Sequence, residues 1–264
     1  MAIQCFSRRN LDFTLFEVLK VSDLSQHPYF NAHDAATFSF ALDAAADIAS
    51  KIAYPAFADS DRHPPELADG RVKVHPSVHE YVKTFGETGF IAAPFSIEYG
   101  GMQLPKTIMA AIDFIIGSAH NSFVMFTDLT QGAANLIYTF GTDEQKATFL
   151  PKMFSGEWLG TMCLTETQAG SSLSDITTMA YPQADGTYKI VGQKIFISAG
   201  DHDYSDNIIH LVLARIEGAP KGTKGISLFI VPKSDIHDST SNDVTSVAIY
   251  HKMGQKATDR KSVV

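Results

Sequence analysis

From residue 34 the chain carries a helical period. Phe38, Leu42, Ala45, Ala49 and Ile52 recur at spacings of three and four, and Asp34 is placed to cap the start. The helix predicted over residues 34–57 is broken by DSDRHPPELADG, where Pro64, Pro65 and Gly70 interrupt regular structure. A second helix is expected from Ser77, with Glu80 at capping-box spacing, ending in the region 86–89. APFSIEYGGMQLP reads as a loop. Pro105 then opens a third helix through IMAAIDFIIGSAH, which is apolar nearly all round and so predicted to be buried. A fourth helix is expected over roughly 122–140, stopped by Gly141. Thr142 with Gln145 forms another capping box, opening a short helix through Phe154. In residues 1–33 the pattern is ambiguous, and Phe13, Phe16, Val18 and Leu19 suggest a small docked helix.

From Gly156 the period changes. β-prone apolar runs appear at WLGTMCLT, TYKIVGQKIFIS, NIIHLVLARI, GISLFIVP and TSVAIY, separated by Gly, Asp, Asn and Pro. ADGT at 184–187 is a hairpin turn signal, and GAPKGTKG at 218–225 is a longer loop between strands. Helices followed by strands predict an α+β chain: an extension over 1–33, an all-α domain over 34–155 and a β domain over 156–264.

Composition narrows the function. The 264 residues are 45% apolar and 19% charged, with a net charge of -8, which makes a nucleic-acid partner a poor expectation. Cys5 and Cys163 form no disulfide framework, which points to a reducing compartment. MAIQCFSRRN lacks the apolar core of a signal peptide, and the best candidate for a membrane span, MAAIDFIIGSA, is short and carries Asp113. The expectation is a cytoplasmic protein without a membrane span.

Several chemistries are absent from the sequence. No G-x-G-x-x-G follows a strand, GAPKGTKG has the wrong spacing for a phosphate loop, and there is no G-x-S-x-G. His75 and His79 lie four apart, as zinc ligands on one helix face do. With no H-E-x-x-H and no third ligand, they read as polar residues near a helix start, and no metal is expected.

TMCLTETQAGSS, residues 161–172, is the most informative stretch. A strand ending beside a ligand can offer main-chain N–H and C=O groups to it. Thr165 adds a hydroxyl, Gly170 permits close backbone approach, and Ser171 adds another donor. That suits a planar heteroaromatic ligand with an anionic tail. KIFISAG at 194–200 places Phe196 and Ser198 on one side of a strand, and an aromatic can cover one face of a flat ring. Each feature also has a plain structural reading, as barrel core or as an exposed polar turn.

The order of these pieces resembles the acyl-CoA dehydrogenases. A helical half is followed by GTDEQKATFLPKMFSGEWLGTMCLTETQAGSS, KIFISAG and a late KMG, and the likeness runs from about residue 34 to 254. FISAGDHD and HLVLARIEGAPKGTKGISLFIVPK look most like the long subgroup that includes 3-(methylthio)propionyl-CoA dehydrogenase. The resemblance implies a helical domain and a middle antiparallel β-barrel holding FAD between them and a third, helical domain. It implies flavin contacts along Met162, Cys163, Leu164, Thr165, Gly170 and Ser171, with Thr165 near the reactive ring nitrogen, Phe196 packed on the ring, and Ile197 and Ser198 following. Ser171 would also meet the acyl-CoA. Thr167 stands where the family usually has Pro, and Ser172 where it usually has Asp. The implied reaction is α,β-dehydrogenation of an acyl-CoA thioester with hydride transfer to FAD. An electron-transfer protein would be the acceptor, and the full-length form would be a homo-oligomer. Relatives supply the catalytic base as a Glu in the third domain, and HKMGQKATDRKSVV stands where they continue toward it. The catalytic residue is therefore unknown here, with Glu98 and Glu166 as weak candidates. The alternative is a non-catalytic binding module, or half of a split enzyme.

Overall fold

The computed structural model describes residues 5–263. Its first half is helical: α1 Arg8–Asp12, α2 Ala35–Ile48, α3 Tyr54–Arg62, α4 Pro76–Glu87, α5 Lys106–Phe140 and α6 Asp143–Ser155. The Asp34 side chain accepts from the Thr37 N–H at 2.7 Å, so the expected cap forms. The periodic stretch then continues through a π-helical segment, Ala49–Ala53, into α3. The proline-rich break contains a small hairpin, β1 Glu66–Ala68 and β2 Arg71–Lys73, turning at Gly70 with φ +75°. α4 is capped by His75, whose ring nitrogen accepts from the Ser77 N–H, and not by Ser77. Pro76 takes the first helical position, and its fixed φ starts the helix two residues earlier than the Ser–Glu pair suggests. Pro105 is likewise the cap of α5 and not its first residue.

The third and fourth expected helices join into α5, broken at His120, which is extended at φ −159° and ψ 90°. By length and composition α5 can cross a membrane, contrary to the sequence reading. However, 61% of its most apolar window is buried inside the protein, as in a core helix. Phe38, Tyr81 and Phe85 share one buried cluster with Ile112, Phe123 and Phe126 of α5, and the Tyr81 hydroxyl pairs with Thr127 at 3.0 Å. In the N-terminal arm Leu15 and Val21 dock into this core and Phe16 packs against it as expected, while Phe13, Val18 and Leu19 stay exposed. The arm turns through π and 3-10 geometry there, which shifts the buried face away from the residues a regular helix would present.

The second half holds β3 Trp158–Cys163, β4 Met179–Pro182, β5 Tyr188–Val191, β6 Lys194–Ser198, β7 Asn207–Ile216, β8 Ile226–Pro232, β9 Ser246–Ile249 and β10 Arg260–Val263. The expected antiparallel barrel is instead a mixed half-barrel. β7 pairs in parallel with β3 and with β4, and antiparallel with β8, while β4 and β5 form the expected hairpin. Only strands joined by tight turns must run antiparallel. β3 reaches β7 after three intervening strands, so its direction is free. The order β6-β10-β9 forms a second sheet, facing the first across Cys163, Ile197 and Val212.

Gly160 in β3 sits where a Cβ would come within 2.7 Å of Ala133 and 2.8 Å of Met153, so only glycine lets β3 lie against α5 and α6. Its N–H donates to the Thr130 hydroxyl at 3.0 Å. Leu159 and Ala199 belong to the same buried cluster as the helical core. The two halves thus share one interior, and the end of β3 is held rigidly.

Candidate functional site

The chain leaves β3 at Leu164 and Thr165 beside β6. The Thr165 carbonyl accepts from the Ile195 N–H at 2.8 Å, and the Leu164 carbonyl from the Lys194 ammonium at 3.1 Å. Glu166 then turns inward and is 3% exposed. Its carboxylate accepts from Lys194 Nζ at 2.7 Å, from the N–H and hydroxyl of Thr177 at 2.6 and 2.8 Å, from those of Thr178 at 3.1 and 2.6 Å, and from Gln168 at 2.8 Å. These bonds draw residue 166 against residues 177 and 178, so 167–176 is an excursion clamped at its base. Burial alone would raise the Glu166 carboxyl. The bonds from Lys194, Thr178 and Thr177 overcome that and hold it far below the usual carboxylate range. Burial lowers the Lys194 ammonium, and the Glu166 bond opposes the shift. The pair is a structural clasp, and Glu166 is not placed to abstract a substrate proton.

The far side of the excursion has its own anchor. Arg215, on β7, donates to the carbonyls of Ile176 at 3.1 Å and Ser174, and to those of Gly222 at 2.7 Å and Pro220 at 3.3 Å. One guanidinium therefore ties the loop after Ser171 to the loop before β8. Sequence reasoning missed Lys194, Thr177, Thr178 and Arg215. No spacing links them to Glu166 or Ser171; only strand pairing brings them together.

Between these anchors the outward surface is polar and open. Ser171 and Gly170 are exposed, and Thr165 is half-buried. A Cβ on Gly170 would meet nothing within 4 Å, and its φ is not positive, so the protein's own packing does not require glycine there. The hydroxyls of Thr165, Ser171 and Ser198 take no protein partner among the described residues. Beside them, β6 is bulged. Its pairing with β10 runs Ser198 to Arg260 and Ile197 to Lys261, then shifts so that Lys194 meets Val263. Phe196 takes up the extra length at φ +59°, a backbone conformation that costs an aromatic residue of order 1–3 kcal/mol. The bulge turns Phe196 outward. It is 42% exposed and touches Tyr250 edge-on at 5.1 Å. Bulges that re-aim a side chain are frequent beside active sites.

Of the residues singled out in the sequence, Leu164 and Thr165 bond through their carbonyls to β6, the strand that carries Phe196 and Ser198, and Gly170 and Ser171 lie on the clamped excursion. Cys163 and Ile197 point the other way, into the half-barrel interior at 1% and 2% exposure, and only their main chain can face a ligand. Met162 packs on the cluster around Phe95 and Ala134. Glu98 is exposed on a 3-10 turn, Ile97–Tyr99, and lines a small hollow with Asp143 and Lys146. A cavity of about 1010 Å³ is lined by β5, β7 and β8 with the end of α5. It includes Cys163 and Lys194 but none of Leu164, Thr165, Gly170, Ser171, Phe196 or Ser198, so it is separate from this surface.

The family of this fold is shown by comparison. The model of the acyl-CoA dehydrogenase N-terminal domain matches residues 46–157, and that of the acyl-CoA dehydrogenase middle domain matches residues 161–264. This chain belongs to the acyl-CoA dehydrogenase family. It is 45% identical over 195 residues to 3-methylmercaptopropionyl-CoA dehydrogenase of Ruegeria pomeroyi, covering 72% of this chain and 33% of that protein. It is 37% identical over 261 residues to a butyryl-CoA dehydrogenase of Syntrophomonas wolfei, covering 94% and 42%. The crystal structure of an acyl-CoA dehydrogenase from Bacillus anthracis, complexed with FAD, superposes with a TM-score of 0.71 at 26% identity, over 87% of this chain and 35% of that one. The chain thus spans less than half the length of these relatives.

Proposed function

We propose that this chain forms the flavin-holding and part of the acyl-CoA-holding surface of an acyl-CoA dehydrogenase that performs α,β-dehydrogenation of a thioester. The observation that carries the reading is the bulged β6, which bears the cost of a left-handed aromatic to set Phe196 outward beside Thr165. The open space above Gly170 and the unpartnered hydroxyls fit FAD better than they fit any need of the fold. FAD, when bound, supplies the two-electron acceptor for the hydride that leaves the substrate β-carbon.

Each group has a task in that reading. Phe196 covers one face of the isoalloxazine, and the Thr165 hydroxyl meets its polar edge. Ser198 and the main chain at Ile197 follow along it. Gly170 and Ser171 admit and bond the thioester end of the substrate. Glu166, Lys194 and Arg215 hold that loop in place, so that its donors need no reordering when the ligand arrives. Glu166 is fully engaged and Glu98 lies on another hollow, so neither is set to take the α-proton; the family resemblance assigns that step to a carboxylate of a third, helical domain. In this reading an electron-transfer protein would serve as the electron acceptor of the assembled enzyme, which would be a homo-oligomer. Without that outside carboxylate the chain is a binding module, and the engagement of Glu166 favours this second reading for the 264 residues alone.

Equilibrium dialysis of FAD against the purified chain tests the proposal. Saturable binding is expected. Phe196→Ala should weaken it by ~0.5–1.5 kcal/mol, roughly a two- to tenfold rise in Kd. Gly170→Val should weaken binding of a substrate-like acyl-CoA while leaving the unfolding midpoint unchanged. FAD binding that is indifferent to Phe196 and Thr165 would overturn the reading.

A further inference from the structure

We propose that Asp59, His63 and His75 form a binding site for a borderline divalent transition-metal cation of the Zn2+ type, on the helical half. The sequence pairs His75 with His79, but the structure separates them. His79 turns to Asp203 at 3.1 Å. His75 instead joins Asp59 and His63, and the three ligating atoms all lie within 4.8 Å of one another.

The arrangement follows from the local fold. Asp59 lies near the end of α3, and His63 follows four residues later at its C-cap, so both side chains share one face. The β1–β2 hairpin then returns the chain so that His75, the cap of α4, reaches the same point. One Asp59 oxygen lies 3.1 Å from His63 Nδ1, and the other 3.1 Å from His75 Nε2. Tetrahedral ligands about 2.0–2.2 Å from zinc stand roughly 3.4 Å apart, so the two Asp59 contacts are already near the required spacing. Because the two contacts use different Asp59 oxygens, coordination through one oxygen requires the second imidazole to close on that oxygen as well as on the first imidazole, from a spread of up to 4.8 Å.

The donor set also suits the ion. Two imidazole nitrogens and one carboxylate oxygen match zinc, nickel, cobalt or copper better than magnesium or calcium. His75 is held by an outer partner, since its Nδ1 lies 2.7 Å from the Ser77 hydroxyl. When Nε2 turns its lone pair to a metal, the ring proton moves to Nδ1 and is accepted by the Ser77 hydroxyl, so the Ser77 N–H gives up the acceptor that caps α4 in the metal-free protein. His63 Nδ1 lies 3.1 Å from the Asp59 carbonyl as well as from its carboxylate, so the ring proton sits on Nδ1 in the metal-free protein and passes to Nε2 when a metal binds. The Asp59 and His63 side chains are 60% and 70% exposed, so water completes the coordination shell and entry is direct. The ion would join the end of α3 to the start of α4 across the hairpin.

The test is a Zn2+ titration of the metal-free 264-residue chain by calorimetry, with Co2+ absorption as a second readout. One equivalent of saturable uptake is expected at this site. It should be lost in Asp59→Asn, His63→Ala and His75→Ala and kept in His79→Ala. Zn2+ should raise the melting temperature of the wild type but not of His63→Ala. Removal of His75 takes away a helix cap, so the exposed His63 decides the question if that variant is unfolded. No saturable uptake, or uptake that survives in His63→Ala, would overturn the assignment.

Discussion

Lys194 and Glu166 are both almost wholly buried, and each depends on the other. Removing one partner of such a pair leaves an uncompensated buried charge, so Lys194→Met should cost about 3–5 kcal/mol. Urea unfolding at neutral pH measures this. The sign with pH also follows. The folded Glu166 carboxyl lies below its ordinary value of 4.5, so its contribution is fully present above that pH and is lost as the pH falls below it. The wild type should therefore lose stability in acid more steeply than Lys194→Met, in which the carboxylate has lost its cation. Parallel acid limbs in the two proteins would mean that the clasp is not the group being titrated.

At the scale of elements, α5 carries two acids that are disfavoured as anions. Burial raises Asp113 to about 6, and burial with the nearby Asp113 charge raises Asp128 to about 7. Their folded values exceed the ordinary 3.8, so the stability they contribute is present in acid and is lost as pH rises through about 6 to 7. Burial lowers His120, at the break in α5, to about 4, which acts in the opposite direction as the pH falls from 6.5. Asp128→Asn isolates one term. It should stabilise relative to wild type at pH 8, with the difference vanishing near pH 4, as read from urea midpoints at both. Asp34, the Thr142–Gln145 capping box and the strand runs were legible in the sequence because each is a local preference that the tertiary structure respects. The β1–β2 hairpin, the His75 cap and the parallel pairing of β3 with β7 were not, because they depend on where the returning chain lands. The site divides in the same way. Thr165, Gly170, Ser171 and Phe196 are candidates by residue type, whereas Lys194 and Arg215 become partners of that loop only through the fold.

At the scale of the whole molecule, one interior joins helices and half-barrel, and the open polar surface lies where β3 and β6 emerge from it. The bulge at Phe196, the clasp at Glu166 and the guanidinium of Arg215 all act on that surface, while the large cavity behind β8 is separate from it. The central claim is that the flavin lies on the β3–β6 surface. Hydrogen exchange of the backbone amides with and without saturating FAD tests this most directly. The account predicts slowed exchange confined to 161–172 and 194–200, with α3 and the 185–190 hairpin unchanged. Protection centred instead on 185–190 and 228–232 would place the ligand in the cavity and contradict it.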